Sequence, residues 1–342
     1  MARNLTSKLR IWLSLALGLA ALILVAQAVD FRQLWEVLRH VRLPFVVLTL
    51  VTSLATPVLK AVRWRGLFHP QRPALSLARL AELVVIGQAI NFMIPGRLGE
   101  AARAYLTGEE AAVSKVYALG TLAAEKLLDL IVLALLALAL IPFIALPEWL
   151  AARVGPIVAA ALLATAAAVA LLGGRRMWLK IAGWVLRFLP PAQAEVWRTR
   201  VAAGLDGLAA LSHPRAAAAV WGWTVLFWLT AAVTNGLLFL AFDLPASPLM
   251  ALFVLAVLQG GVAVPSTPGK IGVFHYLCVL ALSVFGVPAA TGLGYGLVLH
   301  FLVVGGISAW AAAALWRRSW DWRRLTQATL EDASATNGGG NL

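Results

Sequence analysis

Two six-residue stretches of the chain nearly repeat each other and place helix breakers and a cation inside apolar sequence. The first spans residues 95–100 and reads PGRLGE, and the second spans residues 268–273 and reads PGKIGV. The helix-breaking residues are Pro95, Gly96 and Gly99 in the first stretch and Pro268, Gly269 and Gly272 in the second. The helix after such a break begins with free N–H groups and a positive dipole end. Each stretch therefore predicts a position that favours an anion.

The first stretch continues into charged residues at helical spacing. Arg97, Glu100 and Arg103 recur every three residues on a helix predicted to begin at Arg97, so they share one face. Planar guanidinium groups suit phosphate, and Glu100 is placed to bridge the two arginines and orient them. These three residues are therefore candidates for binding an anionic headgroup.

The second stretch is a weaker counterpart of the first. Ser266 and Thr267 offer hydroxyl groups, and Lys270 supplies a point charge beside a predicted helix start. These three residues are the second part of the predicted headgroup site. The alternative for both stretches is a turn that only lets helices pack closely.

A third group of charges, Glu125, Lys126 and Asp129, lies inside a predicted membrane span. Ionisable groups at such a depth cost about 2.5–3.5 kcal/mol each, so they should face the protein interior or water. Lys126 and Asp129 are spaced to pair along the helix. Two interpretations remain open: a structural ion pair with Arg97 or Arg103, or a part in a substrate or proton path.

Single polar residues elsewhere in the apolar sequence have two interpretations. His300, in the last predicted span, is either a titratable member of the intramembrane charge group or a hydrogen-bonded residue between helices. Asn91 and Asn235 are predicted to join neighbouring helices through hydrogen bonds.

Composition assigns the chain to the membrane proteins. Of 342 residues, 61% are hydrophobic and 13% are charged, and the mean hydropathy is +0.86. This composition predicts an all-α polytopic membrane protein. The net charge of +13 is spread between apolar spans, so nucleic acid is not an expected partner. The sequence contains no H-E-x-x-H, G-x-S-x-G or phosphate-loop motif and one cysteine, Cys278, so we expect no enzyme activity, metal or cofactor.

Apolar runs and loop charges predict the topology. About six full spans are expected, at residues 11–29, 43–62, 113–141, 149–173, 216–242 and 288–315. The basic loops, expected in the cytoplasm, are residues 60–79, 175–215 and 317–324, and the loops without basic residues are 142–148 and 243–248. Both termini are then cytoplasmic. The first span also resembles a cleavable signal sequence. Its removal is therefore the alternative to its retention as a membrane span.

The loop assignment forces each repeated stretch into a hairpin. Residues 80–112 must enter from the cytoplasm and return, whereas residues 249–286 must enter from the outside and return. The two hairpins, either re-entrant or short and tilted, therefore form an inverted repeat, as in many secondary transporters. We expect one transmembrane domain over residues 1–325 and a disordered tail over residues 326–342.

The chain resembles a known family at these same residues. The stretch at 95–100 with Arg103, the run Glu125-Lys126-Leu127-Leu128-Asp129, and residues 265–274 together resemble the transmembrane region of bacterial lysylphosphatidylglycerol synthases. The likeness covers roughly residues 10–318. Lys270 and His300 depart from it, since glycine and arginine are common at those places.

The resemblance implies a lipid flippase-like domain, with stand-alone relatives in hopanoid and polyprenyl-lipid pathways. We expect a transporter that moves an anionic lipid, either a phospholipid or a polyprenyl-phosphate or hopanoid-type lipid, between leaflets of the bacterial cytoplasmic (inner) membrane. The alternative is a non-transporting subunit that presents lipid to a separate lipid or glycan biosynthetic enzyme. That enzyme and a second copy of the chain are candidate partners. No residues remain for a soluble aminoacyl-transfer domain, so lipid aminoacylation is not expected.

Overall fold

A computed structural model describes most of the chain. The described residues are 18–21, 23–24, 27–71, 73–94, 98–144, 154–261 and 268–317. Within these ranges the secondary structure is helical and contains no strand. The predicted all-α class is therefore confirmed.

Thirteen helices, named here in chain order, make up the described part of the fold. They are α1 Phe31–Arg39, α2 Leu43–Leu67, α3 Leu77–Met93, α4 Gly99–Ala111, α5 Lys115–Leu140, α6 Val154–Gly173, α7 Arg175–Leu186, α8 Pro191–Asp206, α9 Pro214–Ala241, α10 Pro248–Gly261, α11 Val273–Ser283, α12 Ala289–His300 and α13 Gly306–Arg317. Short 3₁₀ turns occupy Ile141–Phe143, Ala209–Ser212 and Pro268–Lys270, and a π-helical turn, Phe301–Gly305, joins α12 to α13.

Four helical segments among the described residues are long and apolar enough to cross a membrane. They are Leu43–Leu67, Lys115–Phe143, Pro214–Ala241 and Ala289–Arg317, and they correspond to four of the six predicted spans. A fifth predicted span contains α6. Most of the first, at 11–29, lies outside the described residues, so the total of six stays a prediction.

The predicted cytoplasmic loop at 60–79 is wrong at its beginning. Helix α2 continues to Leu67, so Lys60, Arg63 and Arg65 are helical residues rather than loop residues. All three were expected among the basic residues of a cytoplasmic loop. The helix carries Arg63 at full burial because carboxylates on α5 lie against its guanidinium, which removes the penalty of an unpaired charge.

The first repeated stretch separates two helices, as predicted. Helix α3 begins at a Ser76 cap, whose hydroxyl accepts from the Arg79 N–H at 3.2 Å, and α4 begins at Gly99. The two helices cross at glycines: a Cβ on Gly99 would overlap the Gly87 carbonyl oxygen. Away from the crossing, Arg79 Nε donates to Glu110 Oε2 at 2.7 Å. The hairpin of α3 and α4 is thus closed at both ends.

The second repeated stretch also lies between two helices, α10 and α11. Its chain reversal uses positive φ angles, 67° at Gly269 and 87° at Gly272, which glycine adopts without a Cβ penalty. Beyond the turn, α11 packs on α12, where Cys278 and Tyr295 are fully buried. The predicted break and its two flanking helices are confirmed.

The end of α3 approaches the turn before α11. Lys270 Nζ lies 5.9 Å from the centre of the Phe92 ring, which is one residue before the end of α3. Helices α2 and α9 pack side by side, joined by a Thr234–Thr52 hydroxyl hydrogen bond of 3.0 Å. On the other face of α9, the Tyr295 hydroxyl donates to Asn235 Oδ1 at 2.6 Å. Asn235 therefore joins two helices, as predicted.

We expect Gly99→Ala to destabilise the protein because the new methyl group cannot fit against the Gly87 carbonyl. Overpacking of this kind costs about 1–3 kcal/mol. Thermal unfolding of purified protein in detergent would measure the loss. The matched control is Gly236→Ala, where no atom lies within 4 Å of the added Cβ. Equal unfolding temperatures for the two variants would contradict the close crossing.

Candidate functional site

A cluster of buried charges connects α2, α4 and α5. Arg63 binds Asp129 through two hydrogen bonds, Nη1–Oδ1 at 2.6 Å and Nη2–Oδ2 at 3.2 Å. The same guanidinium lies 3.3 Å from Glu125 Oε1, and Arg103 Nη2 donates to Glu125 Oε2 at 3.1 Å. The side chains of Arg63 and Glu125 are 0% and 1% exposed. Glu125 therefore links two arginines from different helices.

Neighbouring side chains fix the position of this cluster. The Arg103 guanidinium lies 4.1 Å from the centre of the Trp64 ring, in the range of a cation–π contact. The Trp64 indole in turn donates to Thr121 Oγ1 at 2.9 Å, and Tyr117 Oη donates to the Phe68 carbonyl at 2.8 Å. These contacts align the end of α2 with the start of α5, where the charges meet.

Glu100 belongs to a second set of contacts at the turn of the first hairpin. Asn91 Nδ2 donates to Glu100 Oε2 at 3.0 Å, and Asn91 Oδ1 accepts from the Gly99 N–H at 2.8 Å. Lys126 Nζ lies 3.0 Å from Glu100 Oε1. Asn91 thus satisfies one free N–H of α4 and orients the carboxylate. The predicted bridge from Glu100 to Arg103 is wrong, because Glu125 binds Arg103 and Lys126 binds Glu100.

Lys126 and Asp129 do not pair with each other along α5, although their spacing allowed it. The structure gives each a partner on another helix, Glu100 for Lys126 and Arg63 for Asp129. Of the two interpretations proposed for the third group, the ion pair with Arg103 is present, through Glu125. Ion pairs between helices replace the local pair because they also satisfy Arg63, which would otherwise be a buried unpaired charge.

The charges of this region do not balance. Around the cluster, the described cations are Lys60, Arg63, Arg103 and Lys126, and the described carboxylates are Glu100, Glu125 and Asp129. Four cations against three carboxylates leave one positive charge uncompensated. Each carboxylate already contacts a cation other than Lys60. The described part of the site therefore favours an additional anion.

Several polar atoms in and near the cluster also have no hydrogen-bond partner. Among the described residues, these include the Nε atoms of Arg63 and Arg103 and the Nε1 atom of Trp228 on α9. All three are donors in side chains that are at most 6% exposed. A buried donor without a partner is costly, so a bound polar group or water would stabilise each of them.

A histidine pair lies after the second repeated stretch, with one ring from α11 and one from the end of α12. The rings of His275 and His300 stack with centroids 4.9 Å apart and an interplanar angle of 10°. Phe274 meets His300 edge to face at 5.2 Å. The sequence left two interpretations of His300 open, a titratable member of the intramembrane charge group or a hydrogen-bonded residue between helices. Its ring contacts with Phe274 and His275 place it beside α11.

The structure brings together five of the predicted site residues. Five others lie outside the residues that it describes. Glu100, Arg103, Glu125, Lys126 and Asp129 lie in one region. Pro95, Gly96, Arg97, Ser266 and Thr267 lie outside the described residues.

Sequence reasoning missed Lys60, Arg63 and Asn91 as parts of this site. The available signal was the spacing of Lys60 and Arg63, three residues apart and directly after an apolar run. Within the described ranges, no group of three or more His, Cys, Asp and Glu side chains could hold a metal ion.

Comparisons with known proteins identify a family. The family model described as "Lysylphosphatidylglycerol synthase TM region" matches residues 11–311, which is nearly the whole chain. Comparisons with curated proteins and with solved structures give no match.

Replacing Glu125 by Gln should strongly destabilise the protein, because Arg103 would lose its carboxylate partner and Arg63 would keep only Asp129. Removing one partner from a buried ion pair costs about 3–5 kcal/mol. Denaturant unfolding in mixed micelles would measure the change in the free energy of unfolding.

The control for this measurement is Glu36→Gln. Glu36 pairs with Arg39 at 3.1 Å, but both side chains are 57% exposed, and pairs of this kind contribute about 1 kcal/mol or less. A similar loss in both variants would show that the buried cluster does not support the fold.

Proposed function

The chain belongs to the lysylphosphatidylglycerol synthase TM-region family, and we propose that it is a flippase-like transporter that moves an anionic lipid between membrane leaflets. The family and the apolar helices make it a multi-pass membrane protein with a lipid-related role. The lipid in this proposal is a phospholipid or a polyprenyl-phosphate or hopanoid-type lipid. The membrane is the bacterial cytoplasmic (inner) membrane, with both chain termini in the cytoplasm.

One observation carries the proposal: a charge cluster with excess positive charge lies inside the helix bundle at the turn of the first hairpin. A membrane protein that only needed a stable core would gain little from placing four cations and three carboxylates there, with Arg63, Arg103 and Glu125 buried. An anionic headgroup entering this region would meet the excess charge and the donors without partners.

The contacts divide the residues by role. Arg63 and Arg103 bind Asp129 and Glu125 through Nη atoms, so they mainly position the site, and their Nε donors are the atoms left without a partner among the described residues. Lys126, whose side chain is 47% exposed, is accessible to a headgroup, and Arg97 is the second headgroup cation in this proposal. Glu125 and Asp129 would exchange partners as the helices move apart. Lipid movement would then be coupled to helix movement.

Alternating access would follow from the paired hairpins. The end of α3 and the turn before α11 meet near Phe92 and Lys270, and the loop charges assign the hairpins opposite directions of entry. Movement of one hairpin against the other would then open the meeting point to either leaflet in turn, which is how inverted repeats work in secondary transporters. Lys270 would supply the cation of the second hairpin.

One observation favours a second candidate, a non-transporting subunit that presents lipid to a biosynthetic enzyme. Helices α7 and α8 expose large apolar side chains, with Trp184 58% exposed and Trp197 40% exposed. Such a surface suits a membrane interface or a membrane-bound partner. Co-purification of a synthase or glycosyltransferase, with lipid bound but not moved, would favour this candidate.

We expect Lys126→Gln and Arg97→Gln each to slow lipid movement by about tenfold, the loss expected for one charge-assisted contact to phosphate. The measurement is dithionite quenching of fluorescent phosphatidylglycerol in vesicles that contain the purified protein. Lys180→Gln, on the exposed side of α7, is the matched control and should behave as the unmodified protein.

The transporter proposal fails if the unmodified protein moves no anionic lipid faster than empty vesicles do. Phosphatidylglycerol, phosphatidic acid and a polyprenyl phosphate should each be tested. A rate that is the same for Lys126→Gln, Arg97→Gln and Lys180→Gln would remove these residues from the headgroup site.

A further inference from the structure

Lys60 is a partly buried cation without a carboxylate partner among the described residues. It lies on α2, one turn before Arg63, and its Nζ is 5.0 Å from the centre of the Phe227 ring on α9. The charged side chains that interact with it are two cations, Lys126 and Arg63, and two carboxylates, Asp129 and Glu125. Both carboxylates bind arginines instead. The uncompensated charge of the region is therefore located at Lys60.

A second donor without a partner lies close to the ring that Lys60 covers. Trp228 follows Phe227, and their rings meet edge to face with centroids 6.3 Å apart. Trp228 is 6% exposed, and its Nε1 atom has no hydrogen-bond partner. Indole N–H groups usually find a partner when they are buried. Two independent groups, an ammonium and an indole N–H, thus lack an acceptor in the same part of the bundle.

The surroundings of these two donors are apolar. Phe227, Trp228 and Leu255 form one cluster, with partly buried side chains packed around it from α2, α5 and α9. Those side chains are Leu59, Val132, Leu133, Leu136, Ala231 and Ala232. A free inorganic anion would lose its hydration here without gaining contacts for its other faces. A ligand that joins an anion to a hydrocarbon chain would satisfy both the donors and the apolar wall.

We propose that Lys60 and Trp228 form a binding site for the phosphate group of an anionic lipid, with the lipid chain against the Phe227–Leu255 cluster. The proposal rests on the lipid-transport function above and deepens it. The phosphate would first bind the lysine that has no counter-ion, while Arg63 and Arg103 keep their carboxylates. Arg63, which also lies over Phe227 at 5.3 Å, then positions the site rather than binding the ligand.

The test measures bound lipid separately from lipid movement. Purified protein in phosphatidylcholine nanodiscs with added phosphatidylglycerol would be analysed by native mass spectrometry for retained lipid. We expect Lys60→Gln to lower phosphatidylglycerol retention by about tenfold, and Lys60→Arg to restore most of it. Trp228→Phe, which removes the N–H and keeps an aromatic ring, should lower retention by about threefold. Lys180→Gln should change nothing.

The outcomes separate this site from the transporter proposal. Normal retention in a folded Lys60→Gln variant overturns the site, even if the unmodified protein moves lipid. Retention that depends on Lys60 in a protein that moves no lipid supports the site and overturns the transporter. Inorganic phosphate that displaces phosphatidylglycerol at millimolar concentration would show a site for free phosphate and overturn the lipid assignment. Thermal unfolding of each variant verifies that a loss of binding is not a loss of fold.

Discussion

The ion pairs that Glu125 makes with Arg63 and Arg103 are the contact on which the rest of the bundle depends. They join α2, α4 and α5 through side chains that are at most 6% exposed. In such surroundings the attraction between charges is strong, and so is the penalty for leaving one unpaired. The relative positions of α2, α4 and α5 must therefore be closely defined. Contacts around the ion pairs define them.

Three kinds of contact hold the charges in place. The glycine crossing of Gly87 and Gly99 brings α4 against α3, Asn91 closes the start of α4, and Trp64 supports the Arg103 guanidinium. Each of these contacts restricts the position of a helix or side chain that could otherwise reach several partners. In this arrangement Lys60 has no carboxylate partner among the described residues, because all three nearby carboxylates already contact other cations. A region that is rigid and still positively charged is suited to an anionic ligand.

The predictable part of this protein was the part that follows from local sequence. Apolar runs predicted the four long helices, and the proline and glycine pairs predicted where both hairpins turn, since helix length and backbone restrictions depend on neighbouring residues alone. The choice of ion-pair partners was not predictable in this way. Glu100 was expected to bridge arginines, yet it contacts Lys126, because a partner on another helix competes with any partner along the same helix.

Sequence alone was enough to assign a helical membrane protein, a family likeness and a set of charges that had to face the interior, because the membrane penalises each charge wherever the chain folds. Only the folded arrangement showed that Arg63 and Lys60 belong to the site. Their positions near the end of an apolar run suggested a solvated loop, and the carboxylates that pair with Arg63 lie more than sixty residues away in the sequence. Such a pairing depends on how α2 and α5 pack, which no local pattern contains.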